Sequence, residues 1–214
     1  MDHLIFLLRH GAIDNPPPRR FLGRSDLPLN ADGVRQARDL ARWMGVLPFR
    51  RVCASPLSRA VETAALVSGR PAAAIERIDA LVEIDLGAWE GLSLAEVQVR
   101  FPGEYEERGQ DLAAYRTPGG ESFSEVADRA CPALADLARE RSGPLLVVAH
   151  MGVNRAVLSR LLGRPLAGLL DIPQAYAAVN VLCAGPQGLE VAAVNLRGES
   201  LPIPLAQPEQ GDRQ

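Results

Sequence analysis

Three observations in this sequence predict an α/β fold: a three-layer sandwich with a mostly parallel sheet and helices on both faces. Two short apolar runs, Leu4–Leu8 and Leu145–Ala149, show no alternation, which is the pattern of strands buried on both sides. Amphipathic helical stretches lie between the strand candidates, the order expected of βα units. The chain has 214 residues, 47% hydrophobic and 23% charged, enough for one large domain with a real core. That composition excludes global disorder.

The elements follow in order. Leu4–Leu8 is the first strand and stops at Arg9-His10-Gly11. Ala12–Leu29 carries Pro16, Pro17 and Pro18 and reads as a long loop. Asn30 caps a helix with Val34, Ala37, Leu40, Ala41 and Met44 on one face. Arg51–Ala54 is a second strand, and Ser55-Pro56 starts a helix whose apolar side is Ala60, Ala64 and Val67. Residues 86–120 are less regular: a short helix around Leu94–Arg100, Pro102-Gly103, then a helical piece near Glu104–Leu112. This stretch reads as a small helical insertion lying over the rest. Ser124–Arg141 is amphipathic through Val126, Ala130, Ala133, Leu134 and Leu137, with Pro132 expected to kink it. After the strand at Leu145–Ala149 come a helix over Val153–Leu162 and two strands, Ala177–Cys183 and Leu189–Leu196, in hairpin order. Residues 1–197 form the expected domain, and the Pro/Gln-rich 198–214 a flexible tail.

The formal net charge is −3, so whole-chain charge gives no nucleic-acid or membrane footprint. All 23 basic residues other than histidine are arginine, so anion binding must rely on Arg and His. Cys53, Cys131 and Cys183 are odd in number and lack metal-ligand spacing, which points to a reduced, cytoplasmic setting. No apolar run near the start is long enough for a signal segment or a membrane span.

Of three histidines, His3 reads as incidental, while His10 and His150 each follow an apolar strand and precede a small-residue turn. Ligands in such sheets bind outside the carboxyl ends of the strands. Arg9 ends a buried strand and needs a partner, which a bound anion would supply. Arg59 lies in the first turns of its helix, where guanidinium forks and a helix amino end both suit phosphate. On its own, Arg59 reads more commonly as an exposed helix arginine, and Glu83 beside Asp85 more often as a surface carboxylate.

Leu8-Arg9-His10-Gly11 after a strand resembles the signature of the histidine phosphatase superfamily, phosphoglycerate mutase-like branch. The resemblance continues in order through Ser55-Pro56-Leu57-Ser58-Arg59-Ala60, Glu62-Thr63-Ala64, Glu83 with Gly87-Ala88-Trp89-Glu90-Gly91, Gly119-Gly120-Glu121-Ser122 and Ala149-His150-Met151-Gly152. It covers about residues 4–183. In size and motif style the chain also resembles alpha-ribazole and broad-specificity phosphatases. The resemblance implies a metal-independent phosphomonoesterase acting on a small phosphorylated metabolite, with no cofactor and no metal site. His10 would be the nucleophile, forming a phosphohistidine. Arg9, Arg59 and His150 would hold the phosphoryl oxygens. Glu83 would be general acid and then general base, protonated with help from the bound phosphate. Met151, Asn15 and Gly23 would complete the phosphate-binding set. Asn154 and Arg155 either reach the pocket or stay on the helix surface.

The chain departs from the family pattern after Gly11. Ala12-Ile13 replaces Glu-Thr, Pro16 stands at an Asn position, and Leu22 replaces a Gln before Gly23. Arg19, Arg20 and Arg24 are candidates to compensate or to bind a second anionic group. Two alternatives stand beside hydrolysis: phosphoglycerate mutase-type phosphoryl transfer, and a low-activity regulatory or binding member. The acidic residues in 86–120 favour hydrolysis. Oligomeric state stays open, a homodimer included.

Overall fold

The computed structural model describes residues 4–139, 143–185 and 188–198. His3 and the expected tail from residue 199 onward lie outside the described residues. Strands β1 (Leu4–Arg9), β2 (Arg51–Ala54), β3 (Glu76–Arg77), β4 (Leu145–Ala149), β5 (Val179–Gly185) and β6 (Gly188–Leu196) form one sheet in the order β3-β2-β4-β1-β5-β6. β3, β2, β4 and β1 run parallel, while β5 and β6 form an antiparallel hairpin on the β1 side.

The missing alternation in the apolar runs has its reason in the layers. Ile5 and Leu7 face one core with Leu145, Val147 and Ala149; Phe6 and Leu8 face the other with Leu146 and Val148. Helices α1 (Ala31–Met44) and α2 (Ser58–Ser68) cover the second face through Ala37, Leu40, Met44, Ala60, Ala64 and Val67. Helices α5 (Phe123–Arg139) and α6 (Met151–Leu161) cover the first through Val126, Ala130, Leu134, Val153 and Val157. Truncating any of the large residues here costs about 2–5 kcal/mol, so the strand ends are held on a stiff platform.

Asn30 caps α1 as expected, accepting from Gly33 N–H at 2.9 Å. Two expectations are corrected, the start of α2 and the place of residues 86–120. α2 begins at Ser58 rather than at Ser55-Pro56, because the residue before a proline avoids helical backbone and Ser55 Oγ instead accepts from Leu57 N–H at 3.3 Å. α5 continues through Pro132, which is exposed. The 86–120 stretch, with α3 (Leu94–Arg100) and α4 (Glu104–Gln110), is more than a cover. Its Trp89, Val97 and Leu112 are buried in the same core as α5 and α6. Cys53 is a buried core thiol; burial, and after it Glu76, push it up to about 12.

Candidate active site

Strand register builds the site. Arg9 pairs with Ala149 across β1 and β4, so the next residues, His10 and His150, emerge side by side. His10 N–H donates to the Ala149 carbonyl at 3.0 Å, and Ser55 N–H to the Val148 carbonyl at 2.9 Å. Three strand ends thus deliver His10, His150 and Ser55 to one spot, with the two imidazole centroids 5.1 Å apart.

His10 is 4% exposed. Its Nδ1 lies 2.7 Å from the Gly11 carbonyl, which can only accept, so Nδ1 carries the proton and Nε2 keeps its lone pair. Burial, then the charges of Arg59 and Arg9, hold His10 well below its ordinary value of 6.5 and keep it neutral. His150 is fully buried and is lowered in the same way, by burial first and then by His10 and the two arginines. Its Nε2 lies 2.7 Å from Ser55 Oγ. With that hydroxyl donating, the proton of His150 sits on Nδ1, which has no hydrogen-bond partner among the described residues.

Both arginines are fixed by backbone carbonyls. Arg9 Nη1 donates to Gln174 O at 2.6 Å, and its guanidinium stacks 3.8 Å from the Tyr176 ring centre. Arg59 Nη1 and Nη2 donate to Ser25 O at 2.7 Å and Gly23 O at 2.8 Å. The turn presenting those carbonyls is held by Glu90, whose carboxylate accepts from the N–H groups of Gly23, Arg24 and Ser25. Neutral carbonyls hold these guanidiniums without cancelling their charge.

Glu83 is 7% exposed and sits at the amino end of α6. Its carboxylate accepts from Gly152 N–H at 3.1 Å, Val153 N–H at 3.2 Å and Ile84 N–H at 3.0 Å. A Cβ at position 152 would lie 2.5 Å from Glu83 Oε1, so the carboxylate reaches this place only past a glycine. This explains the Gly152 of the motif.

Arg9, His10, Arg59, Glu83, Met151, Gly152, Asn15 and Tyr176 line a cavity of about 360 Å³, within the usual range for small-ligand sites. A larger groove of about 950 Å³ beside α2 carries no histidine. The cavity lining sets the buried Arg59 and the half-buried Arg9 against one buried carboxylate, Glu83, a balance that attracts an anion. Part of its wall is apolar through Ile13, Phe21, Leu22, Leu86 and Phe123. Two of the four positions that depart from the family pattern, Ile13 and Leu22, lie on this wall.

Not every candidate stands where it was expected. Gly23 does not line the cavity; its N–H goes to Glu90 and its carbonyl to Arg59. A Cβ there would meet Ile84 O at 2.2 Å, so its place is a packed turn behind Arg59. Asn15 lines the cavity, but its amide closes the loop on the main chain of Arg20, at 2.9 and 3.0 Å. Arg19 and Arg20 both line the cavity, but Arg20 is paired with Glu96; Arg24 is off the lining and pairs with Asp85 and Glu121. Asn154 is buried and donates to Gln174 Oε1, and Arg155 binds the carbonyls of Leu170 and Ile172. Tyr176, Gln174 and Arg108 were not foreseen. Tyr176 and Gln174 come from the segment before β5, and Arg108 from α4, with no local pattern tying them to Arg9 or His10.

The family model for the histidine phosphatase superfamily (branch 1) matches residues 5–197. The chain belongs to this superfamily. Among curated relatives, a 6-phosphofructo-2-kinase/fructose-2,6-bisphosphatase of Caenorhabditis elegans is 37% identical over 173 residues, 79% of this chain and 36% of that protein. A bifunctional protein of Mycobacterium tuberculosis is 36% identical over 161 residues, 73% of this chain and 41% of that protein. The chain spans less than half the length of these relatives. Among solved structures, a mycobacterial glucosyl-3-phosphoglycerate phosphatase superposes with a TM-score of 0.78 at 28% identity, covering 90% of this chain and 98% of that one. A putative alpha-ribazole-5′-P phosphatase from Escherichia coli superposes with a TM-score of 0.82 at 24% identity, over 92% and 98% of the two chains, and shares the fold. No helix among the described residues is long and apolar enough to cross a membrane.

Proposed function

We propose that this chain hydrolyses a small phosphomonoester through a phosphohistidine on His10, without a metal ion. The observation that carries the reading is the neutral His10. Its Nδ1–H is spent on the Gly11 carbonyl, and Nε2 stays free beside two uncancelled guanidiniums. In the first step Nε2 attacks phosphorus and the ester P–O bond breaks, with Glu83 giving its proton to the departing alcohol oxygen. Arg9, Arg59 and a donor nitrogen of His150 hold the phosphoryl oxygens as charge develops. In the second step water attacks phosphorus, Glu83 takes a proton from it, and the N–P bond breaks to release inorganic phosphate. Met151 and Gly152, at the start of α6, line the path to the phosphorus.

Arg19 and Arg108 line the same cavity and make no ion pair among the described residues. They support a substrate with a second anionic group, its organic part lying against the apolar wall. The decisive experiment is phosphate release in EDTA, comparing wild type with His10→Ala. The panel holds an aryl phosphate, 3-phosphoglycerate, alpha-ribazole-5′-phosphate, sugar phosphates and a sugar bisphosphate. The expected result is chelator-resistant turnover that His10→Ala abolishes while the fold is kept. Undiminished turnover by that variant overturns the reading. Isomer conversion of 3-phosphoglycerate without phosphate release replaces it with a mutase.

A further inference from the structure

We infer that Glu121 is a positioning residue for the acid–base carboxylate Glu83, acting through Arg129. The inference rests on the role proposed above for Glu83. The carboxylate of Glu83 is held from the front by α6, but the main chain that carries it belongs to no helix or long strand. It is gripped from behind instead. Arg129, on α5, donates from Nη1 to Ala80 O at 2.7 Å and from Nη2 to Glu83 O at 3.3 Å. Its guanidinium is fixed by Glu121, with Nε to Oε1 at 2.9 Å and Nη2 to Oε2 at 3.0 Å, a two-pronged pair. Glu121 also holds the residue two beyond Glu83 in both directions. Its Oε2 accepts from Asp85 N–H at 2.9 Å, and its own N–H donates to the Asp85 carbonyl at 2.9 Å.

One ion pair thus clamps the chain at Ala80, Glu83 and Asp85. The two side chains are 19% and 20% exposed, so water weakens the pair less than it would a surface one. Burial pushes the Glu121 carboxyl up, but the bonds from Arg129 and Asp85 and the charges of Arg129 and Arg24 outweigh it and hold it below the ordinary carboxylate range. Neither Glu121 nor Arg129 lines the cavity; His150 does not line it either, but it packs against the His10 ring, whereas the Arg129 guanidinium is spent on Glu121 and the carbonyls of Ala80 and Glu83. The Gly-Gly-Glu-Ser motif therefore has a use that the reaction steps do not absorb. Ser122 and Glu125 close the amino end of α5 with reciprocal bonds, which sets the preceding Glu121 against Arg129.

A group that only stabilises the fold would change all substrates alike. A group that aims the general acid acts selectively, because 4-nitrophenolate leaves without a proton and an alkoxide does not. The experiment measures kcat and KM for 4-nitrophenyl phosphate and for an alkyl phosphate, in wild type, Glu83→Gln, Glu121→Ala, Glu121→Gln and Arg129→Lys. Glu121→Ala is expected to lower kcat/KM on the alkyl ester by about 10–100-fold, with a much smaller loss on the aryl ester; kcat/KM ends at alcohol release and so leaves out the shared second step, in which Glu83 acts as base on both. Glu121→Gln keeps an acceptor for Asp85 N–H and recovers part of the loss. Arg129→Lys keeps the charge but cannot reach both carbonyls and Glu121, so it reproduces the selective loss and serves where Glu121→Ala does not fold. A selective loss in Glu83→Gln with equal or no losses in the Glu121 and Arg129 variants overturns this inference. Equal losses of kcat/KM on both esters in Glu83→Gln itself overturn the acid role of Glu83 instead, because kcat/KM leaves out the shared hydrolysis of the phosphohistidine.

Discussion

Replacing Gly152 by alanine tests how closely Glu83 must keep to its place. The new methyl carbon would stand 2.5 Å from Glu83 Oε1 and 3.2 Å from Phe123 Cε1, whereas ordinary contact begins near 3.4 Å. The carboxylate must therefore withdraw by roughly 0.9 Å, the difference 3.4 − 2.5, and stretch its bonds to the N–H groups of Gly152 and Val153. A misplacement of about 1 Å at a reacting group costs on the order of 10²-fold, or about 2.7 kcal/mol of barrier. Two opposing terms act on stability. Alanine in a helix gains up to about 1 kcal/mol over glycine, and weakening two bonds to a carboxylate gives back a similar amount or more. The variant should therefore fold with a modestly shifted Tm while losing turnover. The assay is steady-state kcat/KM on an alkyl phosphate, which ends at alcohol release, with 4-nitrophenyl phosphate as the ester whose leaving group needs no proton. A drop of about 10²-fold on the first and less than about 10-fold on the second is expected. A folded variant whose alkyl-ester turnover stays within about 3-fold of wild type would refute the reasoning.

Two further outcomes follow from the same geometry. His10 and His150 are both held well below 6.5 when folded, so the unfolded chain takes up their protons first as pH falls. Their contribution to stability is full above about pH 6.5 and is lost progressively below it, so the urea midpoint should fall from about pH 7 to 5.5 and fall less in His10→Gln; a flat midpoint in wild type contradicts this. Arg19→Ala and Arg108→Ala should each raise KM by about 10-fold for a preferred phosphomonoester with a second anionic group, yet change 4-nitrophenyl phosphate by less than about 2-fold; equal changes on both would show that neither reads a second anion.

What was legible in the sequence is what the sheet makes local. Leu4–Leu8 and Leu145–Ala149 announce buried parallel strands, and the residues just beyond them, Arg9, His10 and His150, fall at strand ends by necessity. Asn30 announces its helix because a cap is a contact over three residues. β3 has no such signal: Glu76 and Arg77 are exposed and only two residues long. Contacts between distant segments were equally silent. Tyr176 under Arg9, Gln174 O on its guanidinium and Arg129 on Glu83 O depend on how a loop packs, not on any period. Gly23 shows the same limit from the other side. Its position in a motif pointed to phosphate, while its carbonyl in fact holds the arginine expected to bind it.

The departures after Gly11 fall where the sheet does not reach. Ala12 and Ile13 still anchor the loop through main-chain groups: Ala12 O accepts from Asn30 N–H at 3.0 Å, and Ile13 bridges Leu29. Any side chain can make those bonds. Arg59 takes its orientation from Gly23 O and Ser25 O, and that turn is set by Glu90, so Leu22 can replace a polar residue without moving the guanidinium. What such a replacement does change is the wall. Ile13 and Leu22, with Phe21, add apolar surface to the cavity that Arg9, His10 and Arg59 also line. On the proposed reading, the phosphoryl end of a substrate would meet the side chains that strand register and backbone carbonyls hold in place, and its other end would meet the loop of residues 12–22. Reaction type and substrate choice are therefore carried by different parts of the chain, and substitutions in residues 12–22 should alter KM and substrate preference well before they alter the chemistry at His10.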